Sequence, residues 1–320
     1  MSYVQNPSVS FTFLDGLLVI EDERHRRTVD LEALQLSEDV VRNAMADVDQ
    51  APAPLQDLVK ALVEIGALLI AEDSPPPETR QSRSLGYLAS KLRSPQAAQR
   101  HLSSTSVMIL GVGGTGSVVL QHLIGAGVRD LVLVDHDTVE LSNLNRQFIY
   151  TTEDVGISKL EPARTYVADR ALNARVEIVE RKVRSHADMK QLLTEHPYVS
   201  VVACCIDDPP NIEPQVVSAG LAAGLTVMTG AVGIEFGHVG PLFTAGSPHC
   251  LPCWYSTRRD PAPVPRWSHG VTNTLVGALM AQQIMEWAMG VPALPTERMT
   301  VDFTNLEVHR FRPSPTCDHA

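Results

Sequence analysis

Apolar residues are spaced in two different ways along the chain. Near the start, SFTFLDGLLVI (residues 10–20) sets Asp15-Gly16 between two apolar strand-like runs, and both turn residues tolerate positive φ, so a tight β-hairpin is predicted. RRTVDL (26–31) predicts a third strand, and Ser37 is placed to cap a helix opening at Glu38. In PLQDLVKALVEIG the residues Leu55, Leu58, Val59, Leu62 and Val63 share one helical face behind Pro54. ALLIAE (67–72) reads as a short returning strand. Strands, two helices and a strand in this order predict a small α+β, winged-helix-like module over residues 1–75.

DSPPPETRQSR (73–83) interrupts the pattern, because three prolines amid charge neither continue a helix nor join a central strand. Residues 76–100 are therefore read as a linker and arm, and 101–320 as a second domain. There the pattern becomes an alternation. SVMILGV (106–112), DLVLVDHD (130–137), ARVEIVERKV (174–183), VSVVACCIDD (199–208) and TVMTGAV (226–232) are strands. SVVLQHLIGAG (117–127), Glu161–Leu172 and QVVSAGLAAG (215–224) are helices between them. This rhythm predicts an α/β fold with a doubly wound, mostly parallel Rossmann-like sheet, which binds ligands beyond the carboxyl ends of its strands.

Composition narrows the partners. No run approaches the ~20 apolar residues that cross a bilayer, and the N-terminus lacks a secretory layout, so no membrane role and a cytoplasmic location are expected. A net charge of -11 argues against nucleic-acid binding, as does a head helix in which Lys60 faces Asp57 and Glu64. Five cysteines do not make a disulfide framework. Cys204 and Cys205, in an apolar run, are expected to be small buried residues.

The chemistry begins at GVGGTGS. Gly111, Gly113, Gly114 and Gly116 follow a strand and open a helix, where backbone N–H groups face phosphate. Ser117 follows Gly116 directly, so this is not a Walker loop, which needs Lys and then Ser or Thr. Asp135, at the end of the second strand, is placed to accept hydrogen bonds from ribose hydroxyls. To this point NAD and ATP are served equally. Beyond it lie Asp137, Asn143, Arg146, Gln147 and Lys159, more polar chemistry than two phosphates and a hydride donor require. Arg146 and Lys159 suit a triphosphate cleaved at its α-phosphorus, and Asp207 suits Mg2+. Singly, each of these reads equally as a surface charge or a turn residue; together, in order, they read as a site.

GVGGTGS, LVLVDHDTVELSNLNRQF, the lysine of VGISKLEPA, IDD, GAVGIEFGHVGPL and the C-x-x-C of PHCLPCW together resemble the ubiquitin-activating-enzyme-like superfamily in its bacterial ThiF/MoeB/HesA form. That resemblance covers roughly residues 101–320. It implies a carboxylate attacking the α-phosphorus of Mg·ATP to give an acyl-adenylate and pyrophosphate. It assigns Asp135 to ribose, Asn143, Arg146 and Lys159 to phosphates, and Asp207 to Mg2+. It also implies a homodimer in which an arginine reaches the partner's ATP. RQSR keeps the spacing of the family's R-Y-x-R-Q arm but not its tyrosine or final glutamine, leaving Arg83 or Arg80 as the finger, Arg83 preferred.

The family often carries structural Zn2+ on two C-x-x-C pairs. Cys250 and Cys253 form the first; the chain ends PTCDHA, so Cys317 takes the third position and His319 is the candidate fourth ligand. The loop STRRDPAPVPRWSHG has no cysteine for a thioester, and Arg258, Arg259, Arg266 and His269 make it basic. The extra head resembles, in size, position and element order, the leader-binding peptide clamp of microcin C7-type adenylyltransferases. The expected substrate is then a carboxylate on a ribosomal peptide whose leader binds residues 1–75, with a hairpin edge open to β-augmentation. A ubiquitin-like sulfur carrier and an NAD-dependent oxidoreductase are the alternatives.

Overall fold

The computed structural model describes residues 3–44, 52–70, 80–89, 91–92, 94–171, 173–244, 250–255, 267–291 and 296–313. The chain forms two compact units, residues 1–101 and 102–320.

The first unit contains β1 (Tyr3–Gln5), β2 (Ser10–Leu14), β3 (Leu17–Glu21), β4 (Arg26–Asp30), α1 (Glu38–Ala44), α2 (Ala53–Glu64), β5 (Leu68–Ile70) and α3 (Ser82–Ala89), and the division falls within α4 (Pro95–Ser104). The hairpin forms as expected: Leu14 pairs with Leu17 around Asp15 (φ 47°) and Gly16 (φ 78°). Ser37 Oγ accepts from the Val40 N–H at 3.4 Å at the start of α1. The apolar face of α2 buries Leu55, Leu58, Val59 and Leu62 against Leu18, Ile20, Leu31 and Leu36. β4 is exposed along most of its length, at the edge of the β2-β3-β4 sheet.

The pairing of β1 with β5 joins Tyr3 to Ile70 across the unit, beyond the reach of local pattern. Buried Asn6 fixes that corner. Its Nδ2 donates to the carbonyls of Gly66 (2.7 Å) and Ala89 (2.6 Å), and its Oδ1 accepts from the Ser8 N–H (2.9 Å). The stretch read as linker and arm carries α3 and α4; residues 71–79 lie outside the described residues.

The second unit runs β6 (Ser106–Leu110), α5 (Gly114–Ala126), β7 (Asp130–Asp135), α6 (Leu160–Arg170), β8 (Arg175–Glu180), α7 (His186–Glu195), β9 (Val201–Cys204), α8 (Ile212–Ala222), β10 (Thr226–Val232), β11 (Phe236–Phe243), α9 (Leu251–Tyr255), α10 (Gly270–Ala288), β12 (Arg298–Asp302) and β13 (Val308–Phe311). The sheet order is β13-β12-β11-β10-β9-β6-β7-β8. The strands from β10 to β8 pair in parallel, and β11 to β13 extend the sheet antiparallel. All five residues of β6 are buried, as a central parallel strand requires. From β6 the strands β7 and β8 are added on one side and β9 and β10 on the other, so the strand order switches between β6 and β9 and their carboxyl ends open a crevice.

Three predicted strands stop early. Those read through Asp137, Val183 and Asp208 end at Asp135, Glu180 and Cys204, and the residues released at each end turn out of the sheet.

Candidate active site

A cavity of about 390 Å3 lies at these carboxyl ends. Its wall combines the glycine turn after β6, Asp135–Asp137 after β7, Arg181–Val183 after β8, Cys205–Asp208 after β9, and Gly230–Val232 at the end of β10. Arg146, Gln147, Lys159, Trp267, Ser268 and Asn273 complete it.

The glycine turn is built by close approach. Gly111 has φ +83°, and a Cβ there would meet the Cys205 carbonyl oxygen at 2.9 Å. At Gly116 a Cβ would sit 1.8 Å from the Gly111 carbonyl oxygen, so the turn closes only on glycine. A Cβ on Gly114 would meet Asn273 Oδ1 at 2.2 Å. Gly113 is the N-cap of α5 and offers no side-chain cap, leaving the first N–H groups of the helix unsatisfied toward the cavity.

Asp135 is buried and staples the turn. Its Oδ2 accepts from the Val112 N–H at 2.7 Å, and Oδ1 accepts from His136 (2.7 Å) and Asp137 (2.9 Å). Oδ2 therefore keeps one acceptor position for a ligand hydroxyl. Tyr150, buried, donates to the Val112 carbonyl at 2.8 Å; burial, aided by the charge of Asp135, holds its phenol above the usual range.

Two cations reach the cavity by different routes. The chain from Gly156 to Lys159 pairs with residues 137–139 through the Thr138–Ser158 bridge and the Val139–Ile157 hydrogen bond, carrying Lys159 inward. Arg146 projects from the segment after a short 3-10 helix (Leu141–Asn143); its Nη1 donates to Ser142 O (2.8 Å) and Asn145 Oδ1 (2.9 Å). Its remaining N–H groups are available to a ligand. Gln147 is buried at the cavity, and its Oε1 has no hydrogen-bond partner among the described residues.

Asp207 opens onto the cavity. Partial burial raises its carboxyl above the ordinary range, and the charge of Asp208 adds to this. Asp208 is itself ion-paired with Lys182. Cys205 also lines the cavity, its thiol pushed up to about 12 by burial, whereas Cys204 is buried in the core. Carboxylates and an orphaned amide oxygen beside open helix N–H groups form a donor set that suits a nucleotide phosphate with Mg2+.

Not every residue singled out in the sequence reaches this wall. Asn143 is buried, and its Oδ1 accepts from the Glu140 N–H at 3.1 Å, capping its own turn; it does not line the cavity. Gly116 packs behind the turn. Arg83 is exposed in the first turn of α3, in the other unit. Cys250 and Cys253 are half-buried at the start of α9, and Cys317 and His319 lie outside the described residues. So do Arg258, Arg259 and Arg266, whereas His269 is the N-cap of α10. The pattern gave no signal for Asn273, Arg181, Lys182 or Asp208 as wall residues, since each enters from a strand exit or a distant helix.

The ThiF family model matches residues 88–319. The chain belongs to the ThiF family. Among curated relatives, the sulfur carrier protein adenylyltransferase of Thermus thermophilus is 31% identical over 233 residues, 68% of this chain and 84% of the relative. The adenylyltransferase and sulfurtransferase uba4 of Ogataea parapolymorpha is 32% identical over 189 residues, 59% of this chain; the match spans about half, 47%, of that longer relative. Among solved structures, E. coli MccB with ATP superposes with a TM-score of 0.78 at 19% identity, covering 99% of both chains, so the shared fold extends through the N-terminal unit. Among the described residues, no helix is long and apolar enough to cross a membrane.

Proposed function

We propose that the protein is an ATP-dependent adenylyltransferase that activates a carboxylate of a ribosomally made peptide, with the leader held by its N-terminal module. The observation that carries the reading is the cavity itself, which gathers an uncapped helix start, the carboxylates of Asp135 and Asp207, and the cations of Lys159 and Arg146. A nucleoside triphosphate presents the complementary groups in the same order: ribose hydroxyls at Asp135, phosphates at the α5 N-terminus and the two cations. Mg2+, held by Asp207, would neutralise phosphate oxygens and make pyrophosphate a better leaving group.

In this reading a substrate carboxylate oxygen forms a bond to the α-phosphorus while the bond from that phosphorus to the β-phosphate's bridging oxygen breaks. The electron pair leaves with pyrophosphate, and acyl-AMP remains. The chain's own groups orient and neutralise: Arg146 and Lys159 meet charge on the phosphates, and Gln147 Oε1 accepts a hydrogen bond from the ligand. Arg83 of one protomer is assigned to the partner's site in a homodimer. Structural zinc is assigned to Cys250, Cys253, Cys317 and His319, a complete four-ligand set by chemistry.

The peptide branch is favoured by the N-terminal unit, where exposed β4 offers a free sheet edge. It is also favoured by likeness along the whole chain to a microcin C7 biosynthetic enzyme solved with N-formylated MccA, at a TM-score of 0.80 and 19% identity. The 31% identity to the Thermus sulfur carrier protein adenylyltransferase favours the second reading, activation of a sulfur carrier's C-terminus. ATP–pyrophosphate exchange separates them. Exchange driven by a small peptide, and abolished with that peptide when residues 1–75 are removed, supports the first. Exchange driven only by a ubiquitin-like carrier supports the second, and no exchange with either overturns adenylation.

A further inference from the structure

We infer that the ion pair between Lys182 and Asp208 is a clasp across the cavity at the ribose, retaining the nucleoside of the bound nucleotide. The inference rests on the adenylation reading above. In the sheet β9, β6, β7 and β8 are successive neighbours. The helix start that faces phosphate follows β6, and Asp135, which faces ribose, closes β7. A nucleotide laid along that line carries its base past the ribose, over the exit of β8.

The clasp spans the ribose position on that line, at the end of β7. Lys182 belongs to the segment released where β8 ends at Glu180, and Asp208 to the one released where β9 ends at Cys204. Three strand spacings separate those exits, roughly 14 Å, so a pair joining them crosses above the ends of β6 and β7. Both residues line the cavity, yet the Lys182 side chain is 27% exposed and that of Asp208 60%, which sets the pair at the mouth and not on the floor.

Each end is anchored. The Arg181 N–H donates to the Asp135 carbonyl at 3.0 Å, and the Arg181 guanidinium meets Glu195 of α7 at 2.9 Å. The stem of Lys182 thus starts from a point fixed to β7 and α7. On the other side the Ile212 N–H donates to the Pro209 carbonyl at 3.1 Å, tying the residues after Asp208 into the start of α8. A pair built this way retains a nucleoside through closure and needs no contact with phosphate. Its effect is therefore the same for every nucleotide that shares the nucleoside.

Calorimetric binding of AMP, ATP and inorganic pyrophosphate to the full chain, without added Mg2+, tests this, using wild type, K182D, D208K and the double swap K182D/D208K. Each single reversal is expected to weaken AMP and ATP by one common factor, about fivefold, the scale of a partly exposed pair. The double swap should restore both, with pyrophosphate unaffected throughout. Weakening confined to ATP and pyrophosphate overturns the clasp, because it places Lys182 on the polyphosphate. Unchanged single variants overturn it, and so does a swap that fails to restore binding, which would mean direct contact with the ligand. If the wild-type chain binds neither AMP nor ATP, the adenylation reading itself is overturned; the preceding failures leave that reading standing.

Discussion

Lys159 is tied to Asp137 twice: its Nζ lies 2.8 Å from Asp137 Oδ2, and its backbone N–H donates to the Asp137 carbonyl at 3.0 Å. The lysine side chain is only 8% exposed while the aspartate is half exposed, so the pair holds a buried cation against the cavity wall. Burial works to raise the Asp137 carboxyl, but the hydrogen bond and charge of Lys159 outweigh it and hold the group below the usual carboxylate range. A carboxyl lowered on folding contributes stability above its unfolded value, and loses it as pH falls through the folded value. K159A is expected to return the Asp137 titration upward, followed by carboxyl NMR, and to lower pyrophosphate exchange by about 10²–10³, the scale of losing one charge-stabilising group.

The two glycines of the turn should differ sharply on substitution. At Gly116 a Cβ would lie 1.8 Å from the Gly111 carbonyl oxygen, whereas at Gly113 the nearest atom, Gln147 Nε2, is 3.8 Å away. G116A is expected to open the turn, destabilise the second unit by about 2–4 kcal/mol in denaturant melts and abolish nucleotide binding. G113A should cost less than about 1 kcal/mol. Equal behaviour of the two variants would refute the close-approach account.

In the adenylation reading, Asp207 is expected to trade stability against activity. Its carboxyl is raised by partial burial and by Asp208, so it favours folding only while protonated. That contribution is complete below the unfolded value and lost as pH rises through the folded one. D207N, uncharged at every pH, should therefore melt at a higher temperature than wild type at neutral pH, while losing Mg2+-dependent exchange. In the wild type the acid limb of exchange should lie above that of an ordinary aspartate, and D208N should move it to lower pH. A pH–rate profile that is identical in D208N would refute the coupling.

Asn6 tests the corner of the first unit. Replacing it with alanine strands the carbonyls of Gly66 and Ala89 and the N–H of Ser8. With unpaired buried groups costing about 1–3 kcal/mol each, N6A should destabilise that unit by roughly 2–4 kcal/mol, read by hydrogen exchange at Leu68 and Leu69. Leucine at the same position should be no better, since volume alone does not supply the donors.

What the sequence made legible follows from the range of the interactions. The Asp15-Gly16 hairpin, the apolar face from Leu55 to Leu62 and the turn at Gly111–Gly116 are local, and local chemistry decides them. β1 with β5, and β11 with β12, depend on partners far along the chain. α10 is apolar on most faces because it is buried, so it offers no amphipathic stripe to read. The cavity wall divides the same way. Asp135 and Lys159 stand out by type and order, but Lys182 and Asp208 read as ends of strands, because composition does not mark where a strand leaves its sheet.

The contact between Gly114 and Asn273 joins the glycine turn to a helix supplied some 160 residues later. Asn273 is locked there by hydrogen bonds from its Nδ2 to Ser268 Oγ and the His269 carbonyl, both at 2.7 Å. The glycine fingerprint is thus not a portable cassette. A fragment ending at Phe243 would keep every strand that the parallel sheet needs and lack the wall behind its turn. Such a fragment is expected to give native-like far-ultraviolet circular dichroism and no measurable affinity for ATP, so nucleotide capture would report the arrival of α10.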